Sequence, residues 1–425
     1  MKRLLLFPLL ILCSPALQAQ KSDPAAHPYM GWSSWSLMRK EPTEDKIKAQ
    51  ADALLKAHLD TYGYRYINVD DYWNDGFDAN GYPTASPKLF PSGMKSLADS
   101  MHQRGLKFGL YLNPGIAKNL YAANPLITGT TVHFQDIADT HQEGNTRGGS
   151  YHIDFNKPGA AEYLNGFAKL LAKWGVDYIK MDFVGPGGGR VKSDNLEEIR
   201  QWRLALARAG RPIWLELSNK MSLEHAAEWR ENANGWRIEG DIECYSCKEG
   251  LTRWSNVAQR FKDLPPWTGF AGPGGWNDLD TMELGNGDRD GLTEAERQSM
   301  FTLWAMACAP LYLGTDLTKM DPGDLALLTH FEVIAVDQAG IPARLVEQAN
   351  PDQQVWVTKS ADGSLVVALF NLGSEKASIS LNAGALGLPA KAAFRDLWKA
   401  KTIPAARSFE LESHASLMLR ITATR

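Results

Sequence analysis

The sequence predicts an α/β protein in which a parallel (β/α)8 TIM barrel is followed by a C-terminal antiparallel β-sandwich domain. Two observations predict this class. Between about residues 28 and 340, short apolar or β-branched runs alternate with stretches of helical periodicity. After about residue 340 the helical period stops and short alternating strands follow one another. A doubly wound sheet is the alternative for the first part, because it produces the same alternation.

Eight runs in the first part have the short length and apolar character of buried strands. They lie at residues 30–35, 66–69, 108–112, 178–181, 213–217, 236–238, 275–277 and 310–313. Between them, apolar residues recur at helical spacing, and acidic residues near the start of two of these stretches suit the helix dipole. The predicted helices cover residues 43–59, 160–174, 196–209, 223–231 and 292–307.

The last part of the chain predicts a small antiparallel β-sandwich. Turn sequences such as Ala361-Asp-Gly and Gly387-Leu-Pro separate its strands. Because no long flexible linker precedes it, we expect predicted domains at 28–340 and 341–425 to pack directly against each other. The predicted strands are 354–358, 365–372, 377–381, 393–396 and 415–421.

Composition and charge exclude one class of partner. The 425 residues include 45 Lys and Arg against 49 Asp and Glu, and the formal charge of -4 gives no basic field for nucleic acid. The chain also contains 14 Trp, 13 Tyr and 15 Phe. Such rings either fill a core or form flat, half-polar surfaces suited to sugars.

The N-terminus has the pattern of a secretory signal peptide. Basic residues precede an apolar run at residues 4–12, and small residues follow, with cleavage expected after Ala19 or Ala16. Lipid modification of Cys13 is the weaker interpretation, because a leucine precedes it. No later segment approaches the roughly 18 consecutive apolar residues that a membrane span needs. The signal-peptide pattern therefore predicts an exported protein, periplasmic or extracellular after removal of residues 1–19.

Three cysteines follow residue 19. Cys244 and Cys247 form a CxxC motif without a second pair, which excludes a four-cysteine zinc site. A short disulfide and a redox role are both open, and the redox role is disfavoured because the surrounding pattern is not thioredoxin-like. Cys308 lies in an apolar run and is assigned to the core.

Acidic residues follow the predicted strands at the ends where barrel enzymes place their chemistry. Taken singly, each is most simply a helix cap or a turn residue. Together at one rim they would repel one another unless Lys180 and Arg237 offset their charge. Such a cluster is costly unless it binds a ligand, and the ligands that suit carboxylates are Mg2+ or Ca2+, or a sugar whose hydroxyl groups donate hydrogen bonds. The nearby Trp35, Trp73 and Trp276 favour the sugar. The acids are Asp70, Asp71, Asp182, Glu216, Asp241 and Asp280.

Hydrolysis of a glycosidic bond needs two carboxyl groups with different roles. Lys180 faces the same side of its strand as Asp182, and its charge would keep Asp182 ionised, so Asp182 is the predicted nucleophile. Asp241 ends a different strand, follows Arg237, and is the predicted acid that protonates the leaving oxygen. That role requires the pKa of Asp241 to be raised by burial and by a neighbouring carboxylate.

Six segments stand in order along almost the whole predicted barrel. They are Met30-Gly-Trp-Ser-Ser-Trp35, Tyr66-Ile-Asn-Val-Asp-Asp71-Tyr-Trp73, Tyr178-Ile-Lys-Met-Asp182, Trp236-Arg-Ile-Glu-Gly-Asp241, Gly272-Pro-Gly-Gly-Trp-Asn-Asp-Leu-Asp280, and Leu303-Trp-Ala with Pro310-Leu-Tyr-Leu-Gly-Thr-Asp316. Together they resemble the motifs of glycoside hydrolase family 27, the α-galactosidases and α-N-acetylgalactosaminidases.

The resemblance implies a retaining double displacement, with Asp182 matching the nucleophile and Asp241 the acid/base. It implies no metal and no cofactor, and a substrate with a terminal α-galactosyl residue on an oligosaccharide, a polysaccharide or a glycoconjugate. Asp70 and Asp71 would hold O4 and O6 of galactose. The matching sugar-contacting positions are Trp35, Asp70, Asp71, Tyr111, Lys180, Glu216, Arg237 and Asp280.

Two departures from the family keep alternatives open. The residues after Glu216 do not match the stretch that reads the C2 substituent in animal members, and the cysteine pair beside the nucleophile strand of eukaryotic relatives is absent. α-N-Acetylgalactosaminidase and β-L-arabinopyranosidase activities are therefore alternatives, and a non-catalytic sugar-binding protein is a remote one. A Mg2+ enzyme with Asp70, Asp71 and Asp182 as ligands is disfavoured by the adjacent Lys180. The aglycone, the oligomeric state and the role of the β-domain are not predicted.

Overall fold

The computed structural model describes residues 24–346, 350–389 and 391–424. The predicted signal peptide at residues 1–19 lies outside the described residues, as does Cys13. Every helix in the described part of the chain is too short or too polar to cross a lipid bilayer.

Eight parallel strands form the wall of a barrel. The strands β1 to β8 are Met30–Ser33, Tyr66–Val69, Lys107–Leu112, Tyr178–Met181, Trp214–Leu217, Gly235–Arg237, Trp276–Asp278 and Leu311–Leu313. From β1 to β7 each strand pairs with the next in sequence, and β8 pairs with β1, with Gly31 opposite Tyr312. A parallel bridge from Met282, after β7, to Leu313 in β8 closes the ring, which confirms the (β/α)8 prediction over the doubly wound sheet.

All five predicted helices are present, with ends displaced by a few residues. Thr43 and Thr293 cap two of them by accepting hydrogen bonds from backbone N–H groups three residues later, so these helices begin one residue after each threonine. The α-helices of the described chain are Trp35–Met38, Glu44–Lys56, Gly93–Gln103, Lys118–Ala123, Phe134–Ile137, Ala160–Trp174, Leu196–Arg208, Ala226–Asn232, Trp254–Asp263, Glu294–Ala307, Pro322–Leu328, Phe331–Gln338 and Ala383–Leu386.

Two long loops at the carboxyl ends of β2 and β3 carry short antiparallel strands that the sequence analysis did not predict. Asn74–Phe77 pairs with Pro83–Ala85 after β2. Ile116–Ala117 and Ala138–Glu143 both pair with Ser150–Ile153 after β3. These pieces are polar and partly exposed, so they lack the apolar run that identifies a barrel strand.

The C-terminal part is a two-layer antiparallel β-structure, as predicted. The strands β9 to β16 are Arg344–Val346, Gln353–Lys359, Leu365–Asn371, Ala377–Ser380, Ala392–Asp396, Lys401–Ile403, Ser408–Leu411 and Ser416–Ala423. Six of them form one sheet in the order β9-β10-β11-β16-β13-β14, and β12 pairs with β15 in a second, two-stranded sheet.

Side chains of β11 alternate between two hydrophobic cores, as the period of a strand requires. Ala368 and Phe370 belong to the core shared with the barrel, whereas Val367 and Leu369 belong to the core between the two sheets. The Phe370 ring is fully buried and meets the Phe261 ring edge to face, with centroids 4.8 Å apart. The larger sheet therefore packs directly against the barrel.

Replacing Phe370 with Ala is expected to lower the free energy of unfolding by about 3 kcal/mol, because it leaves a cavity between the barrel and the sheet. Urea unfolding followed by tryptophan fluorescence measures the loss. Phe331→Ala is the matched control, since that ring is 73% exposed and should change stability by less than about 0.5 kcal/mol. Equal losses in the two variants would contradict the structural account of this interface.

Candidate active site

The barrel interior has an aromatic floor toward the amino ends of its strands. The Tyr29 ring lies 5.0 to 5.3 Å from the rings of Tyr66, Tyr178, Trp214 and Tyr312. These side chains are buried and pack together as one aromatic layer below the polar residues that follow. Chemistry is therefore confined to the carboxyl-end half of the barrel.

Polar residues stand above this floor because strand side chains return to the same face every second residue. One polar residue occupies the middle of the barrel on four strands, and the next lies two positions later at the rim. The pairs are Asn68 and Asp70, Lys180 and Asp182, Glu216 and Ser218, and Asp278 and Asp280.

A small cavity opens among the rim residues. Ser33, Asn68, Glu243 and Thr281 contribute to its walls. The structure thus brings together six of the predicted site residues on separate strands and loops, which are Trp35, Asp70, Lys180, Arg237, Asp241 and Asp280.

Asp182 stands directly after β4 and is 8% exposed. Its Oδ1 accepts hydrogen bonds from Ser218 Oγ at 2.7 Å and from Phe183 N at 2.9 Å. Burial raises the pKa of Asp182, while the Lys180 charge lowers it and the Asp241 charge raises it. Both donors use the same oxygen, so neither covers Oδ2.

Asp241 lies in the loop after β6 and is held at both oxygens. Arg237 Nη2 is 3.1 Å from Oδ1, and the Tyr245 hydroxyl donates to Oδ2 at 2.6 Å. Burial raises the pKa of Asp241, but the charges of Arg237 and Lys180 and the Tyr245 hydrogen bond outweigh it and lower the pKa to about 2. The expectation of a raised pKa for Asp241 is therefore wrong, because Arg237 and the Tyr245 hydroxyl contact this carboxylate and the Lys180 charge lies nearby.

Two cations separate the acids of the cavity, as expected from the sequence. Lys180 Nζ is 2.9 Å from Asp70 Oδ2, and Arg237 Nη2 is 2.6 Å from Asp280 Oδ2. Burial lowers the pKa of Lys180, but Asp70 and Asp182 raise it well above its usual value, so the ammonium stays charged. These pairs let buried carboxylates share one site.

Three predicted sugar-contacting residues lie beside or below the cavity. Asp71 Oδ2 is 3.1 Å from Arg147 Nη1, on the loop after β3. The Tyr111 hydroxyl donates to Asn113 at 3.2 Å and lines a neighbouring groove. The strand register sets Glu216 opposite Lys180, one layer below the rim, so Glu216 is only 1% exposed. It accepts a hydrogen bond from Trp214 Nε1 at 2.8 Å.

Trp73 and Trp276, the two other tryptophans that favoured a sugar site, do not line the rim cavity. Trp276 is fully buried at the amino end of β7, where its indole N–H donates to the carbonyl of Ala25. Trp73 is 1% exposed and donates to the carbonyl of Tyr111. Trp73 also lines the neighbouring groove beside Tyr111. The prediction is therefore wrong for Trp276, because it used only closeness in sequence to the acids.

Ser218 and Tyr245 also contact the two acids and were not predicted from the sequence. Ser218 follows Glu216 by two residues, and the strand period could have placed it on the same face. Tyr245 had no such signal, because it lies in the irregular loop between Cys244 and Cys247. Those cysteines form a disulfide, with Cα atoms 5.3 Å apart, and Cys308 is a buried free thiol as predicted.

Asp241, Glu243 and Asp280 form the one group in the described chain whose acidic oxygens approach closely enough to share a cation, within 4.8 Å of one another. The guanidinium of Arg237 already pairs with two of them. This group also differs from Asp70, Asp71 and Asp182, the ligand set of the magnesium hypothesis. Because a guanidinium already balances the charge of this group, the sugar interpretation is favoured over a metal site.

A barrel whose strand ends present two separated carboxylates, each with its own donors and a nearby cation, has the arrangement of a glycoside hydrolase site. The chain belongs to the alpha-galactosidase family, as its resemblance to glycoside hydrolase family 27 predicted. The family described as "Alpha galactosidase A" matches residues 27–129 and 149–339. The "Alpha galactosidase C-terminal beta sandwich domain" matches residues 350–421.

Similar proteins of known description agree with this family. An alpha-galactosidase of Cyamopsis tetragonoloba is 33% identical over 93% of this chain and 86% of its own length. Alpha-galactosidase A of Cellvibrio japonicus is 32% identical over 85% of this chain and 80% of its own. The crystal structure of a GH27 β-L-arabinopyranosidase from Geobacillus stearothermophilus superposes with a TM-score of 0.86, at 33% identity, over 94% of this chain and 97% of its own.

Proposed function

We propose that this protein is a retaining exo-glycosidase that hydrolyses terminal, non-reducing α-D-galactosyl residues. The observation that carries the proposal is the closeness of two carboxylates at the carboxyl ends of the strands: Asp241 lines the rim cavity, and Asp182, directly after β4, is near enough for the Asp241 charge to raise its pKa. The Lys180 charge acts on both carboxylates. The alpha-galactosidase relatives support galactose as the sugar. The substrate is an α-galactoside of an oligosaccharide, a polysaccharide or a glycoconjugate.

In the first step, a carboxylate oxygen of Asp182 attacks the anomeric carbon. The bond between that carbon and the glycosidic oxygen breaks, the oxygen keeps the electron pair of this bond, and Asp241 gives the oxygen a proton. In the second step, Asp241 takes a proton from water, whose oxygen displaces Asp182 from the anomeric carbon. Two inversions return the α configuration.

The cavity walls would bind the galactosyl ring. Trp35 offers an aromatic face, and the charged set offers acceptors and donors for hydroxyl groups. Glu216 would act through Trp214 and Lys180 from the layer below. The proposed sugar-contacting residues are Trp35, Asp70, Asp71, Tyr111, Lys180, Arg237 and Asp280.

We also propose export to the periplasm or the extracellular space, after removal of residues 1–19. The disulfide between Cys244 and Cys247 supports an oxidising compartment. The barrel and β-domain are proposed at 28–340 and 341–425.

A side-by-side assay of phenyl α-galactoside, α-N-acetylgalactosaminide and β-L-arabinopyranoside tests the proposed function. We expect hydrolysis of the α-galactoside to be fastest, with the α anomer of galactose as the first product by NMR. Faster hydrolysis of either other substrate would reassign the specificity. A β anomer formed first would refute the retaining mechanism.

Asp71→Ala is expected to lower kcat/KM for phenyl α-galactoside at least about tenfold more than for phenyl β-L-arabinopyranoside. The reason is that the substitution removes the carboxylate proposed to bind O6, and the arabinopyranoside has no C6 hydroxymethyl group and therefore no O6 contact to lose. Asp75→Ala, on the exposed loop that follows, is the control and should change neither rate. A uniform loss on both substrates would contradict the O6 role.

Ser218→Ala is expected to change the pH profile of kcat/KM. Loss of the hydroxyl donor raises the pKa of Asp182 further, by about one unit, since a hydrogen bond to a charged group contributes about 1.5 kcal/mol. The reactive form has Asp182 ionised and Asp241 protonated, although the proton favours Asp182. A higher Asp182 pKa makes this reactive form about tenfold rarer, so the plateau of kcat/KM should fall about tenfold. The pH at which kcat/KM begins to decline on the alkaline side should rise by about one unit. At still higher pH the variant and the parent protein should have equal kcat/KM.

The matched control for that profile is Ser378→Ala, which removes an exposed hydroxyl from the β-domain. Its profile should overlay that of the parent protein. A plateau loss in Ser218→Ala without movement of the alkaline limb would show that the hydroxyl does not act through the pKa of Asp182.

A further inference from the structure

The loop closed by the Cys244–Cys247 disulfide stands at the mouth of the cavity. Cys244 is buried, and its backbone N–H donates to the carbonyl of Leu251 at 2.7 Å, so one end of the loop is anchored. The disulfide ties the other end to that anchor across only two residues. Tyr245, between them, is 58% exposed, and its hydroxyl contacts two residues that line the cavity.

The Tyr245 hydroxyl joins two residues of the proposed site. It accepts a hydrogen bond from Trp35 Nε1 at 2.8 Å and donates to Asp241 Oδ2 at 2.6 Å. Arg39 lies over both aromatic rings, 4.6 Å from the Tyr245 centroid and 5.5 Å from that of Trp35. Because the indole N–H occupies a lone pair of the hydroxyl, the hydroxyl proton is directed to Asp241.

The plane of the Asp241 carboxyl is fixed from two sides. Arg237, from the end of β6, contacts Oδ1, and Tyr245 contacts Oδ2. Arg237 is anchored independently by Asp280, whereas Tyr245 depends on the disulfide loop and Trp35. A proton donor must lie within hydrogen-bond reach of the leaving oxygen in a defined orientation, so the second contact limits where the proton can be delivered.

We propose that Tyr245 is a positioning residue for proton transfer between Asp241 and the leaving group, and that the Cys244–Cys247 disulfide holds it in place. This inference rests on the proposed function, in which Asp241 is the acid/base. Tyr245 contacts neither Asp182 nor the middle layer of the barrel in the described hydrogen bonds, so its effect falls on the leaving-group side of the reaction.

Leaving groups of different acidity test the proposal. Phenyl α-galactoside needs protonation of its leaving oxygen, whereas 2,4-dinitrophenyl α-galactoside departs as a stable anion without it. Tyr245→Phe keeps the ring and removes the hydroxyl. Loss of this hydrogen bond also raises the pKa of Asp241 and so increases its protonated fraction, which opposes the loss of positioning. We expect the loss of positioning to dominate, so that kcat/KM falls about 10- to 100-fold for the phenyl substrate and changes less than about twofold for the dinitrophenyl substrate.

Two further variants make the result specific. Cys244→Ser combined with Cys247→Ser keeps the Tyr245 hydroxyl but frees the loop, and it should give a smaller loss with the same preference for the phenyl substrate. Tyr62→Phe is the control for loss of a partly exposed tyrosine hydroxyl far from the cavity, and both rates should stay unchanged.

Equal losses on the two substrates, or no loss on either, would overturn the positioning role of Tyr245. A parent protein that hydrolyses neither α-galactoside would instead refute the proposed function. The two failures are therefore distinguished by the parent protein alone.

Discussion

Asp182→Ala is expected to lower kcat/KM for phenyl α-galactoside by roughly 10⁴-fold or more, because the variant has no carboxylate to attack the anomeric carbon. The effect should persist with the 2,4-dinitrophenyl leaving group, since a better leaving group does not replace the nucleophile. Initial rates with both aryl galactosides measure the loss.

Added azide distinguishes a lost nucleophile from a damaged fold. In Asp182→Ala, azide can enter the space left by the carboxylate and attack once, so β-galactosyl azide should accumulate with inverted configuration. Asp194→Ala is the control, because this exposed acid lies in the same loop after β4 and should retain full activity. Retained hydrolysis in Asp182→Ala would refute the assignment.

Asp241→Ala is expected to lower kcat/KM for phenyl α-galactoside by about 10³-fold, within the range of general acid catalysis. The loss should nearly vanish for the 2,4-dinitrophenyl substrate, whose leaving group needs no proton. Steady-state rates across a series of substituted phenyl α-galactosides measure this dependence.

Azide gives the complementary product in this variant. The Asp182 ester still forms, and azide attacks it without base assistance, so α-galactosyl azide with retained configuration should appear. Glu249→Ala, an exposed acid in the same loop, should behave as the parent protein. A β-azide from Asp241→Ala would show that the roles of the two acids are exchanged.

The barrel was predictable because its evidence is local. Each barrel strand is a short apolar run, and each predicted helix has an apolar face, so the strand ranges agree with the structure to within a few residues. The helix ends were less predictable, because capping by Thr43 and Thr293 sets them. The paired pieces in the loops after β2 and β3 were missed, because they are polar and depend on partners distant in sequence.

The rim residues were predictable where strand period and chain order were sufficient. Asp70, Lys180, Asp241 and Asp280 line one cavity because the carboxyl ends of parallel strands meet at one face of a barrel. Whether Glu216 lies at the rim or in the layer below could not be predicted in this way, because its depth depends on the strand register that sets it opposite Lys180. Their roles in the reaction stay predictions that the variants above would test.

By itself, the sequence determined the alternation of eight strands with helices, the β-sandwich that follows, the family and the set of acids at strand ends, because hydrophobic period and motif order are written along the chain. Closure of the barrel was decided by the structure, through the pairing of β8 with β1 and the bridge after β7. Only the tertiary structure decided how those acids are charged. The pKa of Asp241 falls, and that of Asp182 rises, because folding places Arg237 and the Tyr245 hydroxyl on one carboxylate and buries the other. Such balances depend on distances of a few ångströms between residues far apart in the chain, and no linear pattern specifies them.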